Sequence, residues 1–381
     1  MGLIDKFLDR TRGYFDGEEA PLRWLYPLFE TMESFFVLLP RRSAQAPVVR
    51  DAIELKRYMT AVILSLLPLY AFGLVVFGPR LILMTVVSYA AGLAVEFLFA
   101  IIRKEEINEG FFVTGLIFPM VLPPATPLWI VAIGVMFGVF FGKEVFGGTG
   151  HNIFNPALVS RCFITLSWPG LLSETYTKPF AWLDTFRGAE TTLFATPVDA
   201  LTTATPLSHV GDVVRSADPA VSLGGSDVLR YYLGLCSGSV CETCAVLILI
   251  TGVWLAWTKV SNWRTPVSIL LAYFVPGMIL AWIWPQVFAS PVIGLGVGGL
   301  LFGAFYMATD PVTSPATNEG KWIYGIGIGL VVLLIRGLGA APEGVTYAIL
   351  VMNIFAPLID RQIIRASVPA PLPRKDGIHE R

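Results

Sequence analysis

Tyr58-Met-Thr-Ala-Val-Ile-Leu-Ser-Leu-Leu-Pro-Leu-Tyr-Ala-Phe-Gly-Leu-Val-Val-Phe77 runs for 20 residues without a charged side chain. Wound as a helix, such a run is about 30 Å long, the thickness of a bilayer's hydrocarbon core. After Gly78-Pro79-Arg80 a second run, 81–102, carries a single charge, Glu96. Outward from this pair, further apolar segments lie near 110–123, 127–142 and 155–169. After a polar interval, more follow near 228–258, 265–284, 290–308, 322–339 and 345–363. The pattern predicts an all-α polytopic membrane protein with about ten transmembrane helices. Composition agrees. Only 14% of the 381 residues are charged and 55% are hydrophobic, whereas soluble domains carry roughly 25% charge; the mean hydropathy is +0.67. A net charge of -1 provides no basic field for nucleic acid. Four cysteines in so long a chain are not a disulfide scaffold. No cleavable signal peptide is visible in the polar first 57 residues.

Lysine and arginine set the expected orientation. Arg41, Arg42, Arg50, Lys56 and Arg57 precede the first run, and Arg361, Arg365, Arg374 and Lys375 follow the last. Both termini are therefore expected in the cytoplasm, which requires an even number of crossings. Arg103-Lys104, Lys143, Lys259 with Arg264, and Lys321 fall on the same side; Arg80 and Arg336 are exceptions. The expected organisation is a cytoplasmic N-terminal region (1–57), a first membrane repeat (58–168), an outer segment (169–227), a second repeat (228–364) and a cytoplasmic tail (365–381). Two segments depart from simple spans. Phe111–Leu122 is short and ends at Pro123-Pro124, and Asn155–Trp168 begins with a proline and contains Arg161. Short, Pro- or Gly-interrupted segments are typical of broken helices that line a site.

Ionisable side chains at membrane depth are costly and default to functional candidates. Glu96, Glu242, Asp310 and Asp360 are the four candidates, and oxygen ligands of this kind suit a hard cation such as sodium. The alternative for each is a carboxylate satisfied by backbone amides or by a neighbouring arginine.

Two Gly-rich polar segments interrupt the apolar pattern in corresponding places. They are Gly142-Lys-Glu-Val-Phe-Gly-Gly-Thr-Gly-His151-Asn152-Ile-Phe-Asn155-Pro156 and Ala308-Thr-Asp310-Pro-Val-Thr-Ser-Pro-Ala-Thr-Asn318-Glu-Gly-Lys-Trp322. Each follows a Phe-Gly-rich helix, as a duplication of about five spans would produce; with an odd number the two repeats are inverted. Asn152 and Asn155 offer donors and acceptors suited to a planar ligand such as an isoalloxazine ring, or simply cap the loop. In the outer segment, Asp199-Ala-Leu-Thr202-Thr203-Ala204-Thr205-Pro206 is a hydroxyl-rich turn. By chemistry alone it is a capped turn or a modification site.

That stretch resembles the flavinylation motif Asp-x-x-(Ser/Thr)-Gly-Ala-Thr, with Asp199, Thr202, Ala204 and Thr205 matching and Thr203 standing where glycine is usual. Asn108-Glu-Gly-Phe-Phe-Val-Thr114, Gly142–Gly150, Asn155-Pro-Ala-Leu158, Ala308-Thr-Asp-Pro-Val312, Asn318-Glu-Gly-Lys-Trp322 and Ala356-Pro-Leu358 match in order as well. Together they resemble the B subunits of the sodium-translocating NADH:quinone oxidoreductases. The D subunits of the ferredoxin:NAD oxidoreductases are related but usually lack the polar extension before residue 58. The resemblance implies a urea-transporter-like fold of two inverted five-helix repeats in the bacterial inner membrane. It implies covalent FMN on Thr205, attached by a flavin transferase in the outer (periplasmic) segment. It also implies riboflavin at Asn152 and Asn155, ubiquinone near Gly92, and sodium handled by Glu96, Glu242, Asp310 and Asp360. The partners so implied are the other members of a six-subunit membrane complex. Cofactors would supply the redox chemistry and the protein their placement. NADH should bind elsewhere, because no Gly-x-Gly-x-x-Gly follows a strand. Cys236, Cys241 and Cys244 could ligate a metal, but small cysteines at close helix contacts are the favoured reading. A function of a different class, a solute channel of the urea-transporter kind, remains open at this point.

Overall fold

The computed structural model describes residues 55–103, 110–183, 225–339 and 344–367. Thr205, Asp199, Thr202, Thr203 and Ala204 lie outside the described residues. The elements in chain order are α1 (Leu55–Phe77), α2 (Arg80–Arg103), α3 (Gly110–Met120), α4 (Leu128–Gly142), α5 (Pro156–Ser167), α6 (Pro169–Ser173) and α7 (Gly225–Leu233). Then follow α8 (Ala245–Trp257), α9 (Arg264–Ile283), α10 (Pro291–Gly296), α11 (Leu300–Phe302, continued by a π-turn over Gly303–Met307), α12 (Asn318–Leu338) and α13 (Val345–Ser367). No β-strand occurs among the described residues. Six helices, α1, α2, α4, α9, α12 and α13, are long and apolar enough to cross a membrane; α3, α5 and α8 are shorter apolar helices. Large apolar side chains such as Leu64, Ile102, Ile250 and Trp282 are exposed on the outside of the bundle, as a lipid-facing surface requires.

Small residues bring the helices together. A side chain at Gly138 would run into Ser160 and the Pro156 carbonyl, so α4 and α5 cross in close contact. Between α9 and α12, a side chain at Gly325 would meet Ser268, and one at Gly329 would meet the carbonyl of Ile269. Without a hydrophobic drive between helices in lipid, such close approaches are where association energy is gained. Contacts along α9 and α12 advance together, from Asn262–Asn318 through Ser268–Lys321 to Tyr273–Arg336, so these helices run parallel.

The apolar run expected as one span near 228–258 is two helices, α7 and α8, separated by residues 234–244. Gly234 turns the chain at φ 79°, where a Cβ would lie 2.8 Å from Cys244 Cα. The broken segment meets the broken end of α3. Val240 N donates to the Leu122 carbonyl at 3.1 Å and Cys241 N to that of Met120 at 3.0 Å. Each interruption therefore supplies the hydrogen bonds the other lost, which a bilayer interior demands. The run near 290–308 is likewise discontinuous, broken between α10 and α11 at Gly298, where φ is 74°.

The two exceptions to the charge pattern also find their reason here. Arg80 donates to the carbonyls of Ala125 (3.4 Å) and Thr126 (3.3 Å). Arg336 donates to Gly294 O (2.6 Å), Val297 O (3.2 Å) and Tyr273 Oη (3.2 Å), holding the end of α10 at the break. Arg336 answers carbonyls left open at the end of α10, and Arg80 answers loop carbonyls between α3 and α4; each has a structural partner apart from any role in marking a side of the membrane.

Candidate functional site: paired charges and a polar cavity

The segment between α4 and α5 is anchored by opposite charges. Glu96, on α2, is buried and receives the ammonium of Lys143, the residue that ends α4. Two turns along α2, Arg103 donates to Glu144 Oε2 at 2.9 Å and also to the Glu144 carbonyl. Consecutive residues of opposite sign, Lys143 and Glu144, thus engage complementary partners on one helix. Beyond them the chain turns through Gly147 and Gly148 to Asn152 and Asn155.

Asn152 is buried and spent within the loop: its Oδ1 accepts from Gly150 N (3.3 Å) and its Nδ2 donates to Phe154 O (3.0 Å). Asn155 caps α5, with Oδ1 accepting from Ala157 N at 3.0 Å and Pro156 in the first helical position, a strong start signal. Asn155 also lines a cavity of about 60 Å³ together with Tyr58, Thr114, Ser261, Thr309 and Asp310. At a water's share of roughly 30 Å³, that volume is too small for a flavin ring by itself. It adjoins a wider vestibule of about 590 Å³, with Tyr58, Ser261, Thr309 and Pro311 lining both. Gly92 sits elsewhere on α2, where any side chain would strike the ring of Phe111 on α3.

A second buried pair lies at the broken segments. Arg161 Nη1 is 2.5 Å from Glu242 Oε1 and Nη2 is 3.1 Å from Oε2, while Nη2 also donates to Ser239 Oγ at 3.2 Å. Gly299 packs against the Glu242 carboxylate. Two charges at this depth are tolerable because their geometry is two-pronged and further hydrogen bonds complete it. Cys241 is buried against Gly73 and contacts the Leu69 carbonyl at 3.4 Å.

The remaining acids organise the segment between α11 and α12. Asp310 accepts from Val312 N (3.3 Å) and Thr313 Oγ1 (3.1 Å). Asp360, on α13, accepts from Ala316 N (2.7 Å), Thr317 N (3.1 Å) and Thr317 Oγ1 (2.5 Å). Thr317 in turn caps α12 through Gly320 N at 3.2 Å. Glu96, Glu242, Asp310 and Asp360 are therefore not gathered into one cluster. Among the described residues, no three His, Cys, Asp or Glu side chains form a metal-holding group. Of the four acids, Asp310 is the one at the polar cavity. The alternative expected for each acid, a carboxylate satisfied by an arginine or by backbone amides, is met at Glu242 by Arg161 and at Asp310 and Asp360 by backbone amides; the particular partners, and the lysine at Glu96, were not drawn from the sequence.

Residues 42–368 match the model of the NQR2, RnfD, RnfE family. The B subunit of the Na(+)-translocating NADH-quinone reductase of Ectopseudomonas mendocina (strain ymp) is 35% identical, over 97% of this chain and 99% of that protein. The B subunits from Azotobacter vinelandii and Yersinia pestis are 34% and 33% identical, over 98% and 97% of this chain and 99% and 98% of theirs. A match that runs through every helix from α1 to α13, including both broken segments and the loop carrying Asn152 and Asn155, places the chain: it belongs to the NQR2, RnfD, RnfE family.

Proposed function

We propose that this chain is the B subunit, a membrane component, of a sodium-translocating NADH:quinone oxidoreductase, an inner-membrane pump that couples NADH oxidation and ubiquinone reduction to sodium export. The observation that carries the reading is the near-complete match to relatives of that name, whose aligned share leaves too little of the chain unmatched to omit the extension before residue 58. That extension favours this reading over the second one, the D subunit of a ferredoxin:NAD oxidoreductase, which the family also embraces.

The proposed architecture has ten crossings in two inverted, urea-transporter-like repeats, with both termini in the cytoplasm. Covalent FMN would be held at Thr205 by a phosphoester. Riboflavin would take its place by Asn155, where the cavity opens into the vestibule. Asn155 suits a direct contact because, among the described residues, its side chain is engaged through Oδ1 alone, in the helix cap. Asn152, with both ends engaged, suits a brace that fixes the loop. The flavins, when bound, supply electron transfer toward ubiquinone near Gly92; the chain supplies position. Lys143 and Arg103 hold the loop on α2, and Asp310 presents a carboxylate beside the cavity that suits sodium. A cation reaching Glu96 or Glu242 would first have to displace Lys143 or Arg161.

The test is in-gel fluorescence of the denatured chain after co-expression with a flavin transferase. A fluorescent band that disappears in Thr205→Ala supports the reading; a dark band from folded protein overturns the flavin part, including its distinction from a solute channel. Sodium-stimulated quinone reduction by the assembled complex separates the sodium pump from the ferredoxin-linked alternative.

A further inference from the structure

The vestibule outside the polar cavity has a charge of its own. Lys259, Arg264 and Lys321 line it, and among the described residues no Asp or Glu does. The parallel helices α9 and α12 both begin here, so two positive dipole ends point the same way as the three cations. The acid that acts on Lys321 is Asp360, and its oxygens already accept from Ala316, Thr317 and the Thr317 hydroxyl. Asp310 faces the inner cavity and is engaged by Val312 and Thr313. Arg264 donates to Asn318 Oδ1 at 3.0 Å and Lys321 to the Ala316 carbonyl at 3.0 Å, so their direct hydrogen-bond partners are neutral, and Asp360 offsets one of the three positive charges. Ser261, 5% exposed, lines the vestibule, and its hydroxyl has no hydrogen-bond partner among the described residues.

Such a mouth repels a metal cation and suits an anion. It also lies at a membrane boundary: Trp257 and Trp263, both lining it, are 83% and 49% exposed, as aromatic side chains are at the headgroup level. We propose that the vestibule binds a phosphate group, and that its source is the headgroup of an anionic phospholipid. The phosphate would sit among Lys259, Arg264 and Lys321, accept from Ser261, and leave its acyl chains along the apolar face beside Trp257. Basic pockets between helices are the usual form of such sites. The phosphate site shares Tyr58, Ser261, Thr309 and Pro311 with the mouth given above to riboflavin; the flavin lies toward Asn155 and the phosphate toward the three cations, which do not line the inner cavity.

The experiment is thermal unfolding of the purified, assembled protein in a neutral detergent, with phosphatidylglycerol, phosphatidylcholine or inorganic phosphate added. Phosphatidylglycerol should raise the midpoint, and the effect should weaken with salt. In Lys259→Gln the concentration needed should rise about fivefold, the worth of one interfacial lysine. Lys259→Arg should restore it, and Lys178→Gln, remote from the vestibule, should leave it unchanged. Equal stabilisation by phosphatidylcholine, or an unaltered phosphatidylglycerol response in Lys259→Gln, overturns the site. Inorganic phosphate acting as well as the lipid, at matched phosphate concentration, overturns the lipid source.

Discussion

Arg161 and Glu242, 81 residues apart, meet as a two-pronged ion pair with separations of 2.5 and 3.1 Å inside the bundle. Removing one member strands the other charge away from water, at a cost of about 3–5 kcal/mol; replacing both with apolar groups of similar volume is often close to neutral. Arg161→Met and Glu242→Leu should each lower the unfolding midpoint sharply, and the double variant should recover most of the loss. A double variant as unstable as the sum of the two singles would contradict the pairing.

Glu96 is buried and held by Lys143. If sodium visits Glu96 during turnover, Lys143 competes with it. In the assembled complex, Lys143→Gln should lower the KM for sodium severalfold while reducing kcat. Arg103→Gln, which removes the partner of Glu144 instead, should leave the sodium KM in place. Steady-state quinone reduction across a sodium series checks both, and identical KM values in wild type and Lys143→Gln would sink the idea.

Gly92 gives Phe111 its place. Gly92→Val forces the ring aside, an overpacking that costs about 1–3 kcal/mol. Phe111→Ala in the same chain should make room for the new side chain. Melting temperatures of the two single variants and the combination would show whether the second substitution recovers part of the first loss.

Asp360 and Thr317 share one task, the start of α12. Thr317→Val removes the cap to Gly320 and should cost about 1 kcal/mol. Amide exchange should accelerate at residues 316–321 while the middle of α13 stays protected. Asp360→Asn, which weakens the acceptor of Ala316 and Thr317, should produce the same local pattern. Uniform acceleration across both helices would instead mark a general loss of folding.

The long helices were legible because hydropathy and length are local properties. α1, α2, α9, α12 and α13 begin and end within a few residues of the runs read from the sequence. Capping was one of the two readings open for Asn155, and an asparagine before a proline is a local signal that also marks the start of α5. The break at 234–244 was not. Cysteines, glycines and small hydroxyls look apolar enough to continue a span, and the break is set by carbonyls at Met120 and Leu122 that lie more than a hundred positions away. That an arginine or backbone amides can satisfy an acid was legible, but the identity of the partners, Lys143 for Glu96 and Arg161 for Glu242, was hidden likewise. The four acids stand out as costly one at a time, while their partners depend on which helices touch.

The junction of Val240 and Cys241 with Leu122 and Met120 also has a consequence for how the protein is made. A nascent chain inserted only as far as α5 holds two carbonyls in the bilayer with nothing to answer them. Their partners, Val240 and Cys241, arrive only after about seventy further residues have been made. The first half must therefore wait, incompletely satisfied, for the second. A chain truncated before residue 240 should be recognised and cleared by membrane proteases, and supplying the second half as a separate polypeptide should rescue it, which pulse-chase turnover of the two forms would reveal.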